Sequence, residues 1–141
     1  MIEASVLKVV TNKFPILPGE DDELVNENMY GKALCLYLQE QLSCAGINVP
    51  MYICEDWGWW VEVERAEFSM GLCVYSDPDA HGNPKSYAIM PSIHDPKKWS
   101  WSKFRMVDVG NDVMGIMDDL ASILLSDKGV SQVTRHDDFP Y

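Results

Sequence analysis

The sequence predicts an α+β fold, a single-domain two-layer sandwich in which a mainly antiparallel sheet carries two amphipathic helices on one face. Three observations predict it. Apolar residues recur at helical spacing at Tyr30, Leu34, Leu38, Leu42 and Ala45, and again at Val113, Ile116, Met117, Leu120, Ile123 and Leu124. Between these stripes the period falls to two: Trp57, Trp59, Val61 and Val63 alternate with Gly58, Trp60, Glu62 and Glu64, then Phe68, Met70, Leu72 and Val74 with Ser69, Gly71, Cys73 and Tyr75. Strands gathered between the helices, instead of alternating with them singly, argue against a doubly wound parallel sheet.

The elements follow in order. Val6, Val9 and Val10 within Ala4 to Phe14 make a first strand, which Pro15-Ile16-Leu17-Pro18-Gly19 ends. The acidic run Glu20 to Glu23 suits the positive end of a helix, with Asp21 or Asp22 as cap, and the helix is expected from about Glu23 to Ala45 with Gly46 as its stop. The two alternating runs form a hairpin around Arg65 to Glu67, and their apolar faces, Trp57 and Trp59 included, look into the core. Ser76 to Pro84 is turn-rich and leads to a strand around Lys85 to Met90. An irregular segment, Pro91 to Gly110, precedes a second helix over Asn111 to Ser126. Val130 to His136 adds a short last strand, and the tail from Asp137 to Tyr141 is expected to fray.

The chain has 141 residues, with 22 acidic against 11 basic side chains and a net charge of −11. A chain of this length buries about two-thirds of its extended surface, enough for one core, so residues 1–141 read as one globular domain. The acidic balance opposes nucleic-acid binding, which draws its affinity from cations that displace condensed counterions. The N-terminal residues lack a signal-peptide pattern and no apolar run reaches membrane-spanning length, so a cytoplasmic protein with no membrane partner is expected.

Motifs with their own chemistry are scarce. Neither glycine-rich phosphate loop is present, and His81, His94 and His136 form no local metal pattern, so neither a cofactor nor a metal is expected. Cys35, Cys44, Cys54 and Cys73 contain no C-x-x-C pair and read as reduced, buried small side chains. A nucleophile built from Cys54 or Cys73 with His81 or His94 has the residue types without any supporting motif. Glu62 and Glu64 share a strand face about 7 Å apart, a spacing open to acid/base work, although a solvated polar face is the stronger explanation. No catalytic residue is assigned.

The densest feature is Glu55-Asp56-Trp57-Gly58-Trp59-Trp60-Val61-Glu62-Val63-Glu64. If Trp59 enters the core, alternation turns Trp60 outward beside Glu62 and Glu64, and a ring beside carboxylates favours a cationic ligand or an Arg/Lys-bearing partner. Glu55, Asp56 and Tyr75 are candidates for the same acidic-aromatic surface. A homodimer would occupy that patch equally well. Lys97-Lys98-Trp99-Ser100-Trp101-Ser102-Lys103-Phe104-Arg105 interleaves cations with aromatics, a composition that can stack bases and hold phosphates. A loop whose aromatics anchor on the domain while its cations offset the acidic body is the stronger reading. Trp99 and Trp101 are also candidates for a pocket between the sheet and the 91–101 loop.

The E-D-W-G-W-W-V-E-V strand, following a helix that ends at a glycine, resembles a loose group of small acidic bacterial proteins of unknown function. Such chains occur as integron gene-cassette products and other mobile-element cargo. The resemblance spans Asn26 to Val74, implies a bacterial accessory protein, and brings no catalytic residues with it. The expected function is a non-enzymatic binding or interaction protein, inhibitor- or immunity-like towards a basic partner, since opposite charge speeds encounter. The alternative is a small-ligand-binding domain or a minor enzyme with its pocket beside the 91–101 loop.

Overall fold

A computed structural model of the chain describes residues 6–80, 82–93, 97–100, 105–108 and 110–141, with backbone alone at 97–100 and 105–108. Eight strands and two helices follow in the order β1 (Val6–Thr11), α1 (Lys32–Cys44), β2 (Asn48–Cys54), β3 (Trp59–Arg65), β4 (Phe68–Ser76), β5 (Ser86–Ser92), β6 (Lys97–Ser100), β7 (Arg105–Asp108), α2 (Gly110–Ser126) and β8 (Val130–His136). Six strands make one sheet in the order β2-β3-β4-β5-β1-β8, every neighbouring pair antiparallel, while β6 and β7 pair separately. The predicted α+β class is observed.

Register explains the core. Trp59 faces Val74, Val61 faces Leu72 and Val63 faces Met70, Val74 faces Ile89 in turn, and Leu7 faces Ile89 from the other side. These residues therefore share one face of the sheet. Leu34, Leu38 and Leu42 of α1 and Val113, Ile116, Met117, Leu120 and Leu124 of α2 are buried in the same cluster, so both helices cover that inner face. Ion pairs from Arg65 of β3 to Asp119 and from Arg135 of β8 to Asp118, the latter at 2.7 Å, tie α2 across it.

The first helix departs from its expected limits. Residues Glu20–Glu23 form a separate 3-10 turn, and α1 begins only at Lys32, because Asn28 adopts φ +66°, a left-handed conformation that no α-helix continues through. Tyr30 lies before the helix instead of on its stripe. Neither Asp21 nor Asp22 caps α1. Gly31 occupies the cap position, and the buried carboxylate of Glu20 accepts hydrogen bonds from Gly31 N (2.9 Å), Lys32 N (3.1 Å) and Leu17 N (3.0 Å). One side chain thus satisfies two of the helix's orphan donors from eleven and twelve residues upstream. Gly46, at φ +82°, ends α1 as expected.

Two further differences concern strands. β2 was hidden because it is an edge strand with Pro50 inside it and a register shift between Asn48 and Met51, so its alternation is broken. Trp57 consequently lies in the β2–β3 connection, half-buried against Tyr75, and not in the core. The segment 91–110, expected to be irregular, contains the end of β5 and the β6–β7 pair. Of the cysteines, Cys35 and Cys54 are buried and Cys73 is half-buried, but Cys44 at the end of α1 is exposed, against the expectation for all four.

Candidate functional site

The outer face of the sheet, opposite the helices, carries the predicted residues. Trp60, Glu62 and Glu64 alternate outward along β3. Trp60 is flanked across the strands by Ile53 and Cys73, and Glu62 by Met51 and Gly71. The indole leans along the strand over Gly71, where a Cβ would stand only 2.1 Å from its ring carbons, and its Nε1 donates to Glu62 Oε2 at 2.8 Å. Glycine at this position is what allows the ring to lie down on the sheet. Glu64 accepts instead from Asn48 Nδ2 at 3.2 Å. The two carboxylates answer to different donors, an arrangement of surface polar contacts and not of a shared proton.

Met51 and Ile53 are 46% and 47% exposed beside this ring. Two aliphatic side chains, an oriented indole and two carboxylates therefore form one open patch. Exposed apolar residues grouped in this way, with a polar rim, are the usual mark of an interaction surface.

Glu55 and Asp56 lie off this strand, while Tyr75 is on the same outer face, two residues along β4 from Cys73. Glu55 and Asp56 sit in the β2–β3 connection, which closes through Glu55 N to Gly58 O at 2.7 Å and is held to the preceding loop by Asn26 Nδ2 donating to the Asp56 carbonyl at 2.5 Å. Tyr75 lies at the end of β4 with its ring 5.2 Å from that of Trp57 and 4.7 Å from that of Phe139. Tyr141 continues the series at 5.7 Å from Phe139, and its hydroxyl lies 2.6 Å from Ser86 Oγ. The tail that composition marks for fraying is thus placed across β4 and β5. These rings wall a groove of about 320 Å³, which Glu27 and Met29 of the loop before α1 complete on the far side. That loop is anchored by Trp59 Nε1 donating to the Met29 carbonyl at 2.7 Å.

Sequence reasoning missed Phe139, Tyr141 and Glu27. The signal for the first two was present, since an Asp-Asp-Phe-Pro-Tyr tail puts two aromatics where a solvated tail has no use for them. Glu27 had none; a loop acid becomes part of a wall only through the fold. Trp101 lies outside the described residues, as does the side chain of Trp99, and with them the pocket expected beside the 91–101 loop.

Other chemistry finds little support. Burial pushes the thiols of Cys35, Cys54 and Cys73 above the ordinary range, the opposite of activation, and His81 and His94 lie outside the described residues. Among the described residues, no group of three His, Cys, Asp or Glu side chains is placed to hold a metal ion, and no helix is long and apolar enough to cross a membrane. Comparison with protein-family models, with curated proteins and with solved structures finds no match to this chain.

Proposed function

We propose that this chain is a non-enzymatic binding protein that engages a basic protein partner through the outer face of its sheet, in the manner of an inhibitor or immunity protein. One observation carries the reading: the Trp60 indole is laid over Gly71 and hydrogen-bonded to Glu62 on an open face, with Met51 and Ile53 exposed beside it. An aromatic ring held in one orientation loses little entropy on binding, and tryptophan in such a setting is the commonest kind of interface anchor. Neighbouring carboxylates and a net charge of −11 favour Arg- or Lys-bearing surfaces and speed the encounter. Four unpaired thiols fit a reducing compartment, in keeping with a cytoplasmic accessory protein of the kind its sequence resembles.

The test is capture from lysate of the native host on immobilised protein at moderate salt, with mass-spectrometric identification. A basic protein retained near stoichiometry by the wild type and released by Trp60→Ala combined with Glu62→Ala supports the proposal. Equal retention by the double variant overturns it. So does a homodimer in light scattering that Trp60→Ala dissolves, because the patch would then be spent on self-association.

A further inference from the structure

The groove at the end of the sheet differs from the Trp60 patch in both shape and composition. Its walls are Trp57, Tyr75, Phe139 and Tyr141, whose successive ring planes are inclined at 44°, 67° and 82°. At centroid separations of 5.2, 4.7 and 5.7 Å each ring packs on the next, tilted in the first pair and edge to face in the other two, and the series as a whole borders the groove. Phe139 and Tyr141 remain 41% and 36% exposed, so their contact area is only partly used within the chain. At about 320 Å³ the groove lies at the small end of ligand pockets and suits a headgroup of a few heavy atoms better than a peptide.

Charges of both signs stand near it. Glu27 lines the mouth, and the charge of Asp77 reaches the Tyr141 hydroxyl, helping burial to hold that phenol above its ordinary pKa. Burial does the same for Tyr75. Lys8 Nζ lies 5.6 Å from the centre of the Tyr141 ring, so that ring already serves a cation of the chain and the free ring surface is that of Trp57, Tyr75 and Phe139. Rings with nearby carboxylates attract cations, and a methylated ammonium, being weakly hydrated, is the cation most cheaply taken out of water.

We infer that this groove is a binding site for a small quaternary or methylated ammonium ligand, held against the faces of Trp57, Tyr75 and Phe139 with Glu27 as its counter-charge. The site uses the tail and the loop before α1, and it stands whether or not the Trp60 patch binds a protein.

Isothermal titration calorimetry of the full chain with choline, and separately with its neutral isostere 3,3-dimethylbutan-1-ol, tests this. Choline is expected to bind at least about tenfold more tightly than the neutral alcohol, because the isostere keeps the shape and loses the charge. Trp57→Ala should weaken choline by about tenfold or more, and Glu27→Gln by about threefold. Phe139→Leu keeps apolar bulk while removing a ring, so it should weaken choline and leave the alcohol unchanged; it also guards against misreading a folding defect. Trp60→Ala should bind choline as the wild type does, which separates this site from the protein-binding patch. Absence of choline binding at millimolar concentration, or equal binding of the neutral isostere, overturns the inference.

Discussion

Two adjacent tryptophans on β3 separate the two faces of this sheet. Trp59 points inward, is 3% exposed, and spends its indole N–H on the Met29 carbonyl, so it fixes a loop from inside the core. Trp60 points outward, stays half-buried on a glycine, and spends its N–H on Glu62, a surface carboxylate. Residue type, strand and backbone are the same, and one step of the pleat separates an architectural ring from an available one. Burial alone would rank Trp60 as the weaker version of Trp59. The outer ring is held in one orientation while part of its surface stays open, the setting that the proposed binding role requires.

The sharpest way to break this comparison is to truncate each ring. Trp59→Ala should cost about 3–5 kcal/mol, whereas Trp60→Ala should cost about 1 kcal/mol, because only part of its surface leaves water on folding. Urea unfolding followed by far-UV circular dichroism would read both, and equal costs would mean that Trp60 is also architectural. Next in size is Glu20→Ala, expected to cost about 2–3 kcal/mol in the same measurement, since it strands the buried backbone donor of Gly31 and the part-buried donors of Leu17 and Lys32. Glu20→Gln should recover part of that loss, because the amide keeps one acceptor oxygen.

Gly71→Ala sharpens the outer half of the comparison. The added methyl must displace the Trp60 ring, at a cost of about 1–2 kcal/mol, and the cost should vanish when Trp60→Ala is already present. A double-mutant cycle that shows no coupling would mean that the ring does not rest on the glycine.

The smallest effect concerns Asp127, which lies on neither face and ties three elements together. Its carboxylate accepts from Lys13, from Gly129 N at 2.7 Å and from the Tyr37 hydroxyl at 2.8 Å, and these bonds, that of Lys13 foremost, lower its pKa from 3.8 to about 2. A carboxyl depressed on folding stabilises the protein above its unfolded pKa and loses that contribution as pH falls through the folded one. Asp127→Asn should therefore be less stable than the wild type by about 1 kcal/mol at neutral pH, with the gap closing between about pH 4 and pH 2. A gap that stayed constant across that range would assign the effect to packing.

Much of the fold was legible because burial imposes a period. The Phe68, Met70, Leu72 and Val74 face, the second helix and the last strand all appear where alternation or helical spacing puts them. What escaped was governed by contacts distant in sequence or by local backbone choices. The first helix starts late because of Asn28 and is capped by a carboxylate eleven residues away from Gly31; no window of sequence displays that pairing. β2 escaped because an edge strand has no second neighbour to enforce its pattern.

The candidate site divided in the same manner. Trp60, Glu62 and Glu64 follow from alternation on one strand and were found together. Tyr75 shares the outer face, two residues beyond the partner of Trp60, and its contacts with Trp57 and Phe139 are a grouping that only the return of the chain over β4 creates.

Pro50 carries a consequence for how copies of this protein meet. A sheet whose rim exposes a regular ladder of backbone groups can be lengthened by a passing strand, and uncontrolled lengthening is the route to fibres. On β2 the ladder is interrupted, because Pro50 has no N–H to offer and the register slips beside it. The rim is thereby a poor template for growth, even though Met51 and Ile53 next to it are greasy enough to invite company. A partner on this side of the sheet would thus have to recognise side chains, because the β2 rim offers it no regular backbone ladder.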